Sequence, residues 1–502
     1  MARLKLSLFQ EQPRAFSMVF LLEIWERFGY YTVQGILTLF FIRYLGFGEG
    51  LAYDTFGAFV ALVYGMIPIG GYLGDKVLGT KRTLVLGLFI LALGYLFLAL
   101  ADKQHVFFAL GLICVGNGVF KANPSSLLSK CYEEKDPRLH SGFTLYYMAI
   151  NIGSIFALFV GPTLSNKYGY SYAYFASFLG ILSALLNYML QRHSVSLVHS
   201  PLDRSATSLW QWAMILLGVM AATLASAYLL QHVNLARQLL FVLIALVVGI
   251  YFFYMSREST KLRKRMLLAF ILMLEGVIFF TLYQQMPTSI NLFAVNHVHP
   301  SLFGFSIDPQ SFQVLNPIWI VSMSPFLAIF YGWLNQQGYS FPIPYKFALG
   351  MTCCGVSFLL LYFSCFVHDD MGRVSFLWLV ASYFFQSLGE LLVSALGVAM
   401  IAELVPKQMS GFVMGMWFLT SSVAGFIGAK VATYTALPAH LQPGIESLMI
   451  YTKVFAYIGG ATLMIALLLW CVSPQLSQLM GNFGASHDDC LSKNQQNGLN
   501  IP

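Results

Sequence analysis

Residues 21–31 read LLEIWERFGYY, inside an apolar run that begins at Phe16 and ends at Ile42. Glu23, Glu26 and Arg27 fall within five residues of one another there. A helix this long and apolar spans a bilayer, where one lipid-facing charge at mid-depth costs at least ~2.5–3.5 kcal/mol. On an α-helix, Glu23, Glu26, Arg27, Tyr30, Tyr31 and Gln34 are spaced i, i+3, i+4, i+7, i+8 and i+11. They share one face, roughly 140° wide at about 100° per residue. Leu, Ile, Trp, Phe and Val make the other face. The charges are directed, and they predict a wet cavity or a paired protein interior beside the first span.

The rest of the chain is built the same way. Only 10% of its 502 residues are charged, against about 25% in soluble domains, so it cannot cover a soluble surface. It reads as an all-α polytopic membrane protein. Runs of about 20 apolar residues predict fourteen spans, near 15–44, 51–73, 82–101, 106–129, 141–163, 170–190, 209–230, 236–255, 265–295, 311–334, 345–367, 374–403, 409–434 and 447–472.

Basic residues orient them. With the N-terminus inside, alternate loops carry Lys76, Lys81 and Arg82; Lys130, Lys135 and Arg138; Arg192 and Arg204; and RESTKLRKR at 257–265. The opposite loops hold Lys103, Lys167, Arg237 and Arg373. The positive-inside bias makes both termini cytoplasmic, and it accounts for the net charge of +7 without nucleic acid. The opening MARLKLSLFQEQPR is too interrupted by polar residues for a signal peptide. The expected organisation is a cytoplasmic tail at 1–14, six helices in 15–192, a linker with two extra spans in 193–264, six helices in 265–472, and a polar tail without order at 473–502.

Other spans carry polar groups that could answer the first. Lys121 lies in GNGVFKANPSSLL, Asn151 in YYMAINIGS, Asn316 in VLNPIW and Glu390 in QSLGELLVSALG. The deep set of Glu23, Glu26, Glu390, Arg27 and Lys121 is one negative charge out of balance, which favours binding a proton or a cationic group. Glu390 has no snorkelling route. Lys121 has a rival reading as a snorkelling lysine near the inner surface, and both asparagines as interhelical hydrogen-bond glue. The seven cysteines show no CxxC pattern, and His297 and His299 in NHVHP read as loop residues, so no metal site is expected.

The segment GYLGDKVLGTKR at 71–82 provides Gly71, Gly74, Asp75, Lys76, Gly79, Lys81 and Arg82 in a tight cytoplasmic turn. It resembles the loop signature of the major facilitator superfamily, while YGWLNQQGYS after the eighth core span is a decayed echo of it. EIWERFGYY resembles the E-x-x-E-R-F-x-Y-Y motif of the proton-dependent oligopeptide transporter family, and FKANPSS, YYMAINIGS, LNP and GELLVSALG fit its other blocks. The resemblance runs from about 14 to 472 and includes two extra helices between the halves, here 209–255, as in bacterial members.

That resemblance implies a major facilitator fold of two six-helix bundles, and a bacterial inner-membrane symporter that imports di- and tripeptides with protons. It implies no cofactor beyond the coupling proton, and a functional monomer in the lipid bilayer. Arg27 and Lys121 would hold the peptide carboxylate; Glu390, Asn151 and Asn316 would hold its ammonium. Tyr30, Tyr31, Tyr64 and Trp417 would line side-chain pockets, and Glu23 and Glu26 would couple protons with Arg27 and Lys121.

Two departures stand out. Where many members place an Arg on the first span and an acid on the seventh core span, this chain has Gln34 and Gln284, which are expected at the binding site without charge. Where animal members place a His on the second span, it has Gly57. A symporter for another solute, such as nitrate or a peptide-like metabolite, is the alternative. A membrane enzyme would need a nucleophile, base or metal cluster at the membrane face, and a channel would need charged rings; neither pattern is present.

Overall fold

A computed structural model describes residues 12–133, 136, 138–196, 198, 201–204, 206–302, 305–337, 342–393, 404–438 and 440–497. It is helical throughout apart from a two-stranded turn pairing Ser301–Leu302 with Phe305–Ser306. Fourteen long helices follow the fourteen predicted runs. They are α1 (Arg14–Arg43), α2 (Glu49–Val77), α3 (Thr80–Leu100), α4 (Val106–Ser129), α5 (Arg138–Tyr168), α6 (Tyr170–Gln191), α7 (Leu209–Gln231) and α8 (Val233–Ser256). The second half holds α9 (Thr260–His297), α10 (Pro309–Leu334), α11 (Ile343–Phe363), α12 (Leu377–Val393), α13 (Ser410–Ala432) and α14 (Ile445–Asn497). The end of the predicted 374–403 span lies outside the described residues, as does Lys135.

Local chemistry sets several ends. Ser208 caps α7 in a reciprocal capping box with Gln211, and the Ser259 side chain caps α9, so α9 starts inside the basic cluster at 257–265. Gly79 takes φ +89° at the α2–α3 turn, where a side chain would also strike Asp203. Proline interrupts the ladder in α4 (Pro124), α5 (Pro162), α10 (Pro325) and α14 (Pro474). The last helix corrects one expectation. It runs on through Pro474 to Asn497, whereas the sequence reading ended the span near 472, where the apolar run ends.

Two apolar cores define the halves. Phe16, Leu22, Phe59, Leu88 and Ile113 belong to the first, and Leu272, Phe279, Met351, Phe358 and Phe455 to the second. The extra helices lie at their edges, with Leu230 of α7 and Val233 and Ala236 of α8 joining the first and Tyr251 of α8 the second. Gly111 of α4 lets the α7 backbone approach, and α8 buries only Val233, Ala236 and Tyr251. Arg237 of α8 pairs with Asp54 of α2 at 3.0 Å and lies 5.9 Å over the Phe426 ring of α13, so this helix touches both halves.

The halves are latched at the end away from the 73–82 loop. Thr38 of α1 donates to the Pro287 carbonyl of α9 at 2.9 Å, and Gln313 of α10 donates to the Gly35 carbonyl at 2.9 Å. Glu49 of α2 accepts from the Leu437 amide beyond α13 at 2.8 Å. Between these, Gly57 faces Gly425 and Ala429 so closely that a Cβ would overlap the Gly425 carbonyl. A histidine at this position would part α2 from α13. Gly57→Val is expected to destabilise the protein by about 1–3 kcal/mol through overpacking. A detergent melt with unchanged Tm would show that the two helices separate at no cost.

Candidate functional site

The charged face of α1 does not point one way. Glu23, Glu26 and Arg27 are buried in the first half. The Arg27 Nε atom lies 2.5 Å from Glu26 Oε2 and 3.3 Å from Glu23 Oε1. The Tyr146 hydroxyl of α5 donates to Glu23 Oε2 at 2.7 Å, and Asn117 Nδ2 of α4 donates to Glu26 Oε1 at 3.3 Å. The guanidinium also lies 5.2 Å over the Tyr30 ring. Two carboxylates thus share one cation in a dry site, with donors from two neighbouring helices offsetting part of the desolvation cost. The ion pairing itself is local to α1.

Lys121 stands at the end of the first segment of α4, where the ladder breaks before Pro124. It is half-buried, and among the described residues no carboxylate lies within ion-pair distance of it.

Between the halves lies a partly open cavity. Tyr31, Gln34, Tyr147, Asn151 and Ser154 line it from the first half, and Tyr283, Gln313, Asn316 and Glu390 from the second. Asn316 donates from Nδ2 to Glu390 Oε2 at 2.8 Å and to Ser387 Oγ at 3.1 Å, which fixes the carboxylate. Asn151 donates to the Tyr147 carbonyl of its own helix at 2.9 Å, leaving its side-chain oxygen for the cavity. A mostly apolar cleft with a few convergent polar groups is what small-molecule sites look like.

The structure divides the predicted residues. Tyr31, Gln34, Asn151, Asn316 and Glu390 share the cavity wall; Arg27, Tyr30, Tyr64, Lys121, Gln284 and Trp417 lie off it. Trp417 packs edge-on against Phe280 at 5.9 Å and rests on Gly276. Gln284 is buried against Gly428, and Tyr64 is half-buried against the first core. Tyr147 and Tyr283 were missed, although Tyr147 lies one turn before Asn151 and Tyr283 adjoins Gln284.

Glu275 of α9 was missed too. It is 5% exposed, which corrects the reading of Glu390 as the lone deep carboxylate of the second half. The signal was the one that revealed Glu390: a single charge in a long apolar run.

The loop residues anchor the linker. Gly71 and Gly74 let Ala122 and Asn123 approach, and Asp75 and Lys76 are exposed. The Lys81 ammonium donates to the Val195 carbonyl at 2.5 Å, and Arg82 donates to Thr207 Oγ1 at 2.8 Å.

Two helical halves around a cavity with convergent polar groups, latched at one membrane face, define a secondary transporter of the major facilitator type. The sequence profile of the POT family matches residues 81–448, and the chain belongs to that family. It is 48% identical over 482 residues to dipeptide and tripeptide permease B of Yersinia enterocolitica, covering 95% of this chain and 97% of that one. It is 48% identical over 480 residues to the Salmonella typhimurium protein of the same name, covering 94% and 97%. Among solved structures, the crystal structure of tetrameric PepTSo2 superposes with TM-score 0.83 at 34% identity, over 93% of this chain and 99% of that one. A bacterial homologue of the human drug peptide transporters PepT1 and PepT2 gives TM-score 0.82 at 34% identity, over 93% and 99%. The chain is accordingly a multi-pass inner-membrane transporter, not an enzyme.

Proposed function

We propose that this transporter imports di- and tripeptides together with protons by alternating access, as a monomer with both termini in the cytoplasm. The observation that carries the reading is Glu390, fixed by Asn316 on one wall of the cavity and facing Asn151 on the other. A carboxylate with two amides fits a peptide ammonium. The cations of the first half, Lys121 and Arg27, complement the other end of a zwitterion.

Coupling follows from the buried cluster. Arg27 serves two carboxylates, so protonating Glu26 or Glu23 releases guanidinium donors for a peptide carboxylate. Proton and peptide then favour one another at the same site. Gln34 and Gln284 offer hydrogen bonds but no ion pair between halves, so on this reading the latch relies on the neutral contacts at Gly35, Thr38 and Pro287.

Proteoliposomes tested with a dipeptide panel under an imposed pH gradient and potential decide it. One proton per cycle across about 100 mV supports roughly 50-fold accumulation of a net-neutral peptide. Absence of concentrative uptake for every peptide, with uptake of a different solute such as nitrate, would replace the substrate.

A further inference from the structure

Glu275 is buried inside the second half, on the same face of α9 as Leu268, Leu272, Phe279 and Leu282. Neither carboxylate oxygen has a hydrogen-bond partner among the described residues. Among the described residues, no charged group faces it from the helices packed on the Thr260–Tyr283 stretch of α9, namely α8, α11, α12, α13 and α14. The buried titratable groups of those helices are otherwise placed. Tyr251 donates to the Met266 carbonyl, Tyr451 accepts from Asn296, Glu390 accepts from Asn316, and neither Tyr383 nor Cys354 bonds Glu275. An ionised carboxylate without a cation or a donor costs several kcal/mol in such a place. Such a place favours the neutral acid.

Its neighbours tie that burial to the latch. Gly276, the next residue, lies under the Trp417 ring of α13. The same two helices carry contacts between the halves: α9 through Pro287 to Thr38, and α13 through Gly425 to Gly57. At the cavity wall α9 is interrupted by a π-turn at Met286–Ile290, a feature frequent at functional sites. The helices that seal Glu275 thus also carry latch contacts of the second half. The charge count points the same way. With Glu275 the deep set has four carboxylates and two cations, and a neutral Glu275 restores the smaller imbalance.

We infer that Glu275 is a second proton-binding carboxylate of the transport cycle, protonated while the latch is closed and exchanging with water when it opens. The step is a plain proton transfer: water on the side of higher proton potential supplies the proton, and water on the other side accepts it. The inference rests on the proton-coupled reading above and adds a group to it.

Glu275→Gln is isosteric with the neutral acid and cannot titrate. In proteoliposomes the variant should exchange labelled for unlabelled dipeptide much as wild type does, because exchange needs no net proton movement. Its accumulation under a potential of about 100 mV should fall by roughly 50-fold for one proton lost per cycle. A pH titration followed by infrared spectroscopy should show a protonated-acid carbonyl band that the variant lacks. Glu275→Met, of similar length, carries the same expectation if the Gln variant does not fold. Equal accumulation by variant and wild type, or no missing band, overturns the inference and leaves peptide transport standing. A wild type that exchanges no peptide removes the reading beneath it, and the inference with it.

Discussion

Lys121→Ala abolishes gradient-driven peptide uptake while the protein still folds and reaches the membrane. The expectation rests on position. Lys121 is half-buried at the break in α4, and no carboxylate among the described residues holds it. Removing it leaves Arg27 as the one cation beside the Glu23–Glu26 pair. A peptide carboxylate then meets an uncompensated site. Truncating one partner of a buried charge pair costs about 2–5 kcal/mol, so affinity should fall by roughly 30-fold or more. Lys121→Arg keeps the charge and should retain part of the binding. If the side chain only snorkels towards the membrane surface, Lys121→Ala will accumulate dipeptide like wild type. Uptake in proteoliposomes and a binding isotherm for both variants separate the two accounts.

The fold was legible because apolar runs of bilayer length leave few alternatives. What a helix face touches was less so. The i, i+3, i+4 pattern in LLEIWERFGYY correctly grouped Glu23, Glu26, Arg27 and Tyr30. It also added Tyr31 and Gln34, which the structure turns onto the cavity wall while the charges turn into α4 and α5. An arc of about 140° is wide enough to face two different neighbours, and only the packing divides it. Glu390 could be found from sequence because its isolation is a one-dimensional property. Glu275 has the same isolation, and it was passed over because no motif drew attention to it. The positions of Gln284 and Trp417 follow from Gly428 and Gly276 on other helices. Such contacts between distant segments have no local periodicity that would announce them.

Glu390→Gln weakens binding of a free dipeptide by roughly 10- to 150-fold. A charge-assisted hydrogen bond contributes about 1.5–3 kcal/mol, which converts to that range. The substitution is conservative where structure is concerned. Asn316 Nδ2 now bonds Glu390 Oε2 at 2.8 Å, and a glutamine carbonyl oxygen can accept the same donor. The neighbouring bonds between Asn316 and Ser387 need not change. What disappears is the negative charge, with no cation of its own span beside it. If that charge faces the substrate ammonium, an N-acetylated dipeptide has nothing to lose from the change. Its affinity should fall far less than that of the free peptide. Calorimetry on both ligands with both proteins closes a double-mutant-style cycle in which the coupling term isolates the ammonium contact. Equal losses for free and acetylated peptides would place the effect of Glu390 in proton binding or in the shape of the cavity, and the ammonium would need another partner on the wall, Asn151 or Tyr147.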